Sequence, residues 1–500
     1  MRSSTWMLAW CRRTYTLFLL PRLVTCIFLF STYPPPSIFS FLCCTMHPAL
    51  SFATSAPAVG RLAAVATSST RRQRRFALVT STRRSAFPVT MTTTGPVRPS
   101  STEWGHPRGA ALKRLAGDQV PLSATELDEV LGALREAAAG DDAATVVAGD
   151  DSVDWDGLRA LLATAGHRPH KDWAATGAAA ATARACLLRG RRVDDPRSGA
   201  FRRMWARVLG EGNWGGAVEA AAASGRDGAA DTRPWAVLVT GVNGIRKTTS
   251  LYQPWFPSLL ATSLAAAGHS PVDASRLPVG GTSWFRQLDH LVATVGAAEF
   301  RRLYAGAAGA SPPVDAYAAH KDGIFARYRT VAEVLGMALV LEAAATGSGL
   351  NVLVETSGRD IAMFHYVNAV FPADGYRKLA LHFTVNTLDA AAASVSARMA
   401  AEMGAGTAAA AGGGGIHALI AANAGGPYGP DALPGVQADA ERVWGEVTGA
   451  ARRGEGAAVG WWTASVTVEA ALGPDGWSAT AASPGGEPVG ERYAFVRLAQ

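Results

Sequence analysis

The chain has 500 residues, too long for a single typical domain and consistent with two or three units. Its formal charge of +7 is unevenly spread: residues 1–102 hold twelve arginines, no lysine and no acid, and the remainder carries 35 basic against 40 acidic residues. That remainder has no basic surplus to offer a nucleic acid, and no uninterrupted apolar stretch of about eighteen residues to offer a membrane. Cys11, Cys26, Cys43 and Cys44 all fall in the first 102 residues, leaving Cys186 alone afterwards. A single cysteine excludes an internal disulfide or a CxxC metal site there and fits a reducing compartment.

In chain order, Arg12 and Arg13 precede the apolar run YTLFLLPRLVTCIFLF, which Pro21 and Arg22 interrupt short of a spanning length. An acid-free stretch rich in Arg, Ser, Thr and Ala follows, the composition of an organellar transit peptide. A signal-like segment before a transit-like one resembles the bipartite leaders of algae with secondary plastids. It implies that residues 1–102 are a disordered targeting leader and that the destination is a plastid. A mitochondrial or cytosolic location, with translation starting at Met46 or Met91, is the alternative.

From 103 to 230 the spacing predicts a helical N-terminal region. SATELDEVLGALREAAAG opens with Ser123 as N-cap and Glu126 three residues on, and ends at Gly140. DSVDWDGLRALLATAG and SGAFRRMWARVLGEG share the apolar spacing. Asp150, Asp151, Asp154 and Asp156 lack the alternation and distal glutamate of a calcium loop, and read as a solvated helix N-terminus.

The character changes at Arg233. RPWAVLVTG is a short apolar run ending in glycine, as a buried parallel strand requires, and NVLVETSG and KLALHFTVN repeat the pattern. HKDGIFARYRTVAEVLGMALVLEAAATG and LDAAAASVSARMAAEMG supply helices around them. Strands alternating with helices predict an α/β fold over 231–405, a parallel sheet flanked by helices on both faces. Residues 406–435, opening within GAGTAAAAGGGG, read as a Gly/Ala-rich linker or loop. A helix near 437–453 and the strands GWWTASVTVEAAL and RYAFVRL complete the region 436–500.

TGVNGIRKTTS, residues 240–250, is almost a phosphate-binding loop. Such a loop needs glycines so that backbone N–H groups can wrap phosphate oxygens, a lysine for the β and γ phosphates, and a hydroxyl for Mg²⁺. Gly241, Val242, Asn243, Gly244, Ile245, Arg246, Lys247, Thr248 and Thr249 form the candidate nucleotide site, with Lys247 the lysine and Thr248 the metal ligand. Arg246 stands in the place of the last glycine. In an ordinary helical conformation its side chain is tolerated; with phosphate close to its Cα it obstructs, or its guanidinium adds a contact. Pro254 and Pro257 should end the following helix after about two turns. A glycine turn without a ligand is the bland alternative.

NVLVETSGRD followed by GYRKLALHFTVNTLDAAAASVSARM resembles the zeta-toxin group of P-loop kinases in order and spacing, over roughly 233–403. The resemblance implies a P-loop NTPase-type parallel sheet. It also implies transfer of the ATP γ-phosphate to a small hydroxylated acceptor such as a UDP-sugar, with Mg²⁺. By position, Lys247 and Thr248 take the ATP–Mg²⁺ roles, and Glu355 orients substrate or helps hold the metal. Ser357 stands where the family has threonine, and Arg398 covers the nucleotide phosphates. Arg359 caps a helix or touches substrate. For the base that takes the acceptor's proton, VDASR supplies Asp273 with Arg276; SWFRQLDH, with Ser283 in the aspartate's place, supplies Asp289 as the rival. Asp273 is the favoured choice. His290, His320 and His365 receive no role. Two other readings stand beside this one: a nucleotide-binding regulatory or scaffold module with a degenerate loop, and an NTPase with no small-molecule acceptor.

Overall fold

The computed structural model describes residues 106–139, 153–224, 233–270, 272–305, 312–345, 349–412, 414–452 and 464–497. All belong to the unit Thr92–Gln500. The leader read from residues 1–102, and Asp150 and Asp151, lie outside the described residues.

Among the described residues seven strands form one sheet: β1 Trp235–Thr240, β2 Trp284–Arg286, β3 Val352–Glu355, β4 Arg377–Val385, β5 Ala464–Gly473, β6 Gly476–Ala482 and β7 Tyr493–Ala494. Their spatial order is β2-β3-β1-β4-β5-β6-β7, and the first five run parallel. β1, apolar up to Thr240, is buried along its whole length at the centre of the sheet between β3 and β4. The sheet is mixed rather than wholly parallel. Gly473, Pro474, Asp475 and Gly476 make a tight turn after β5, so β6 returns antiparallel to it and β7 antiparallel to β6.

Among the described residues seven α-helices precede the sheet: α1 His106–Gly117, α2 Ala124–Ala139, α3 Trp155–Ala165, α4 Trp173–Leu188, α5 Gly199–Met204, α6 Ala206–Glu211 and α7 Trp214–Ser224. The run SGAFRRMWARVLGEG is thus two short helices meeting at Trp205. Asp154 caps α3 by accepting the Gly157 N–H at 2.8 Å. Within the sheet region lie α8 Lys247–Ser250, α9 Phe256–Ala266, α10 Leu288–Val295, α11 Ala297–Ala305, α12 Val314–Ala344, α13 Ala362–Val370 and α14 Leu388–Ala411. Then come α15 Ile416–Asn423 and α16 Leu433–Arg452. No helix among the described residues is long and apolar enough to cross a membrane.

Two expectations need correction. α8 lasts a single turn, and Pro257 sits in the first turn of α9, where its missing N–H goes unused. The expected linker 406–435 is largely helical: α14 continues to Ala411, α15 follows, and α16 begins at Leu433. A run of alanines has the highest helix propensity available, so low complexity there does not mean loop.

α12 spans 31 residues and is buried along most of its length, packed against α1, α4, α10 and α14. It joins the N-terminal helices to the sheet region partly through charge. The Ser123–Glu126 capping box forms, with Glu126 accepting the Ser123 N–H at 2.8 Å and Ser123 Oγ accepting the Glu126 N–H at 3.2 Å. Glu126 also accepts two bonds from Arg327 of α12, both at 2.7 Å. Burial pushes the Glu126 carboxyl up, but the bonds from Arg327 and Ser123 outweigh it and hold the group below its ordinary value. Its stability contribution is therefore full above the unfolded carboxyl pKa of about 4.3 and is lost as pH falls through the lower folded value. Glu126→Ala, which strands a buried guanidinium, should destabilise the chain by about 3–5 kcal/mol in urea denaturation at neutral pH. The gap from wild type should narrow in acid, and an unchanged urea midpoint would remove Arg327–Glu126 from the interactions that hold the helical layers together.

Candidate functional site

β1 ends at Thr240, and the chain turns through residues 241–246 into α8. Gly241 and Gly244 have φ of +127° and +85°. A Cβ at Gly241 would run into the Phe383 carbonyl at the end of β4, and one at Gly244 into the Ala391 carbonyl of α14. The loop is clamped between these elements, and only glycine fits at either point. The N–H groups of Asn243, Gly244, Ile245 and Arg246 donate to no carbonyl among the described residues. Val242 and Ile245 are core residues beneath the loop.

Arg246 is a third left-handed residue, with φ 66° and ψ 17°. The ordinary helical conformation that would make a side chain harmless there does not occur. A residue with a Cβ pays roughly 1–2 kcal/mol to sit in this region. The Arg246 side chain is exposed, its guanidinium carbon 5.4 Å from the centroid of the Trp477 ring.

The loop forms one wall of a cleft of about 370 Å³. β1, β2 and β3 run parallel here, and their carboxyl ends deliver the glycine loop, Arg286 and Glu355 side by side. Crevices at the carboxyl ends of parallel strands are where open α/β sheets bind ligands. Lys247 is buried, donates to the Val242 carbonyl at 2.7 Å and lies 3.5 Å from Glu355 Oε1. Burial pushes its ammonium down and Glu355 opposes that shift. Thr248 donates its hydroxyl to Glu355 Oε2 at 2.7 Å.

Asp289 lines the cleft from the first turn of α10. Burial pushes its carboxyl up; Lys321 and Arg398 oppose this, and Glu355 reinforces it. Arg398, on α14, donates to the Gly426 carbonyl at 2.8 Å and lies 3.3 Å from Glu402 Oε1. Glu402 in turn accepts from Lys321 at 2.7 Å and from the Tyr317 hydroxyl at 2.9 Å, so a buried network holds Arg398 in place. Arg286 and Arg329 both pair with the buried Glu333, Arg329 at 2.8 Å. Burial lowers Arg329 to about 10, leaving it charged at neutral pH. Among the lining residues five cations, Arg246, Lys247, Arg286, Arg329 and Arg398, face two carboxylates, Glu355 and Asp289. Glu333 and Glu402 offset part of that charge from behind the lining, and the surplus that remains suits an anion.

Of the residues singled out in the sequence, Asn243, Gly244, Arg246, Lys247, Thr248, Thr249, Asp289, Glu355, Ser357 and Arg398 come together in the cleft. Ser357 also accepts the Gly241 N–H on its carbonyl at 3.1 Å. Asp273 is not brought there. It is exposed and caps the turn Ala274–Arg276, accepting from the Ser275 N–H at 2.9 Å and hydroxyl at 2.8 Å. An Asp two residues before a Ser satisfies itself locally, which its place in VDASR does not separate from a catalytic role. Arg359 is exposed outside the lining, its guanidinium 4.7 Å from the Tyr428 ring. His290 pairs with Glu211 at 2.8 Å. Sequence reasoning missed Arg286, Gln287, Phe325, Arg329 and Gly425–Tyr428. SWFRQLDH contained the first two, and the Gly/Pro-rich NAGGPYGP, set aside as linker, contained the last. Among the described residues no group of three or more His, Cys, Asp and Glu gathers as a metal cluster.

No family model, curated protein or solved structure matches this chain.

Because Arg246 holds φ 66°, Arg246→Gly should relieve backbone strain and raise stability by about 1 kcal/mol, read as a higher midpoint in differential scanning calorimetry. A lower midpoint would show that the contact with Trp477 outweighs the backbone cost.

Proposed function

We propose that the chain is an ATP-dependent phosphotransferase of the P-loop type, similar to the zeta-toxin kinases, acting on a small hydroxylated acceptor such as a UDP-sugar. The observation that carries this reading is the convergence of Lys247 and Thr248 on Glu355, at 3.5 and 2.7 Å, in the same cleft as Asp289. The donor set fits Mg²⁺ and ATP: a hydroxyl and a carboxylate are hard oxygen ligands, and loop N–H groups with a lysine match phosphate oxygens. Bound Mg²⁺ supplies neutralisation of charge on the phosphate oxygens.

In this reading Lys247 would meet the β and γ phosphates, and Thr248 with Glu355 would hold the metal. The acceptor oxygen bonds to phosphorus as the bond to the ADP oxygen breaks, and the hydroxyl proton passes to the Asp289 carboxylate. Asp289 takes the base role first assigned to Asp273. Arg398 and Arg329 face the charge on the transferring group, since phosphoryl transfer depends mainly on positioning and cationic cover. The acid-free leader supports organellar import, and the signal-like run at its start, by its resemblance to bipartite leaders, favours a plastid over a mitochondrion. The engagement of both Lys247 and Thr248 by Glu355 also favours a second reading, a nucleotide-binding module without turnover.

Transfer of radiolabelled γ-phosphate to UDP-sugars separates the two. Lys247→Ala should abolish it. Asp289→Asn should lower it by about 10²–10⁴-fold with nucleotide binding retained, and Asp273→Asn should leave it unchanged. A base must be ionised and Asp289 is raised, so the rate should fall on acidification through a midpoint above the ordinary Asp value of about 3.9. Full activity in Asp289→Asn would remove it as the base; nucleotide binding with no transfer to any acceptor would leave the second reading.

A further inference from the structure

We propose that a purine base of the bound nucleotide stacks on the indole of Trp477 in a second cavity beside the glycine loop, which Arg246, set against the same indole, and Arg497 also line; this rests on the nucleotide reading above. The cavity is about 320 Å³ and is lined by Arg246, Thr249, Trp477, Phe495, Val496 and Arg497. It shares Arg246 and Thr249 with the cleft, so the two spaces meet at the loop. Lys247 and Thr248 turn toward Glu355. A triphosphate with its terminal group on that acidic side must leave the loop past Arg246 and Thr249, the side that opens on the aromatic wall.

That wall is preformed. Trp477 follows the tight turn after β5, and its carbonyl accepts the Phe495 N–H at 3.0 Å. Gln253, just beyond the loop, clasps the Val496 backbone at both ends, accepting its N–H at 2.9 Å and donating to its carbonyl at 3.2 Å. Val496 is nevertheless 50% exposed, so an apolar surface lies open beside a half-buried indole. An indole with a guanidinium over it is a stacking platform for a heterocycle. The left-handed conformation of Arg246 gains a purpose here, because glycine would relieve the strain but leave Trp477 uncovered. Guanidinium groups only donate, which suits the acceptor-bearing edge of a purine, and two fused rings overlap an indole more fully than one.

The test is calorimetric titration of the full chain, with Mg²⁺, against non-hydrolysable ATP and GTP analogues and against inorganic tripolyphosphate. At least one purine analogue should bind about tenfold or more tighter than tripolyphosphate. Trp477→Ala should bring that ratio close to one without changing tripolyphosphate affinity, and Trp477→Phe should keep most of it. Should circular dichroism show Trp477→Ala unfolded, Trp477→Leu, which keeps bulk without a stacking face, reads the same ratio. Equal binding of nucleotide and tripolyphosphate by the wild type, or a ratio unmoved by loss of the indole, overturns the base site and leaves the phosphate loop standing. Failure of every probe to bind overturns the nucleotide reading and this inference with it.

Discussion

A helix buried on nearly every side can carry charge only where neighbouring elements answer it, because an unpaired buried ion costs several kcal/mol. α12 carries four such charges, Lys321, Arg327, Glu333 and Glu342, none more than 3% exposed. Apart from Arg329, which lies on α12 itself, their partners come from far apart in the chain. Glu126 of α2 answers Arg327, and Arg184 of α4 with Arg192 answers Glu342. Arg286 of β2 and Arg329 answer Glu333, and Glu402 of α14 answers Lys321. The N-terminal helices are therefore bound to the sheet region by charge as well as by apolar packing. The same pairs place the cleft: Glu333 holds Arg286 and Arg329, while Glu402, itself anchored by Lys321, holds Arg398.

Where local physics dominated, the structure was legible in the sequence. β1, β3 and β4 are short apolar runs bounded by turn residues, which central parallel strands must be. Ser123 and Glu126 marked the start of α2 because a capping box is written in four adjacent residues. Elsewhere distant contacts decided. β2 has only three residues, Trp284–Arg286, and exists because β3 offers it a parallel edge. β6 is built of Gly, Ala, Ser and Thr around one Trp, a composition without a strong strand signal, and it forms because β5 templates it. Asp273 and Asp289 looked alike as carboxylates near plausible arginines. What separates them is that α10 turns one into the cleft while a local turn occupies the other.

The glycine loop shows how little freedom the backbone retains at the site. Two of its residues must be glycine because β4 and α14 approach too closely for any side chain. Arg246, the third left-handed residue, meets no such wall and projects outward to the C-terminal hairpin. The loop pattern is therefore strict where the fold crowds it and relaxed where the surface opens. An arginine in the last glycine position is a local strain tolerated beside an aromatic partner, and the loop is not thereby dismantled.

The clasp between Gln253 and Val496 spans 243 positions of the chain. A ribosome making this protein releases the glycine loop and its short helix well before the hairpin that walls them. Through that interval the ring of Trp255, which later packs against Tyr493 and Phe495, has no partner from the distal strands. Closing so long a loop is entropically slow. The second cavity, walled by Trp477, Phe495, Val496 and Arg497, is thus among the last parts of the molecule to be finished, and the nascent chain carries an unfinished apolar edge until then.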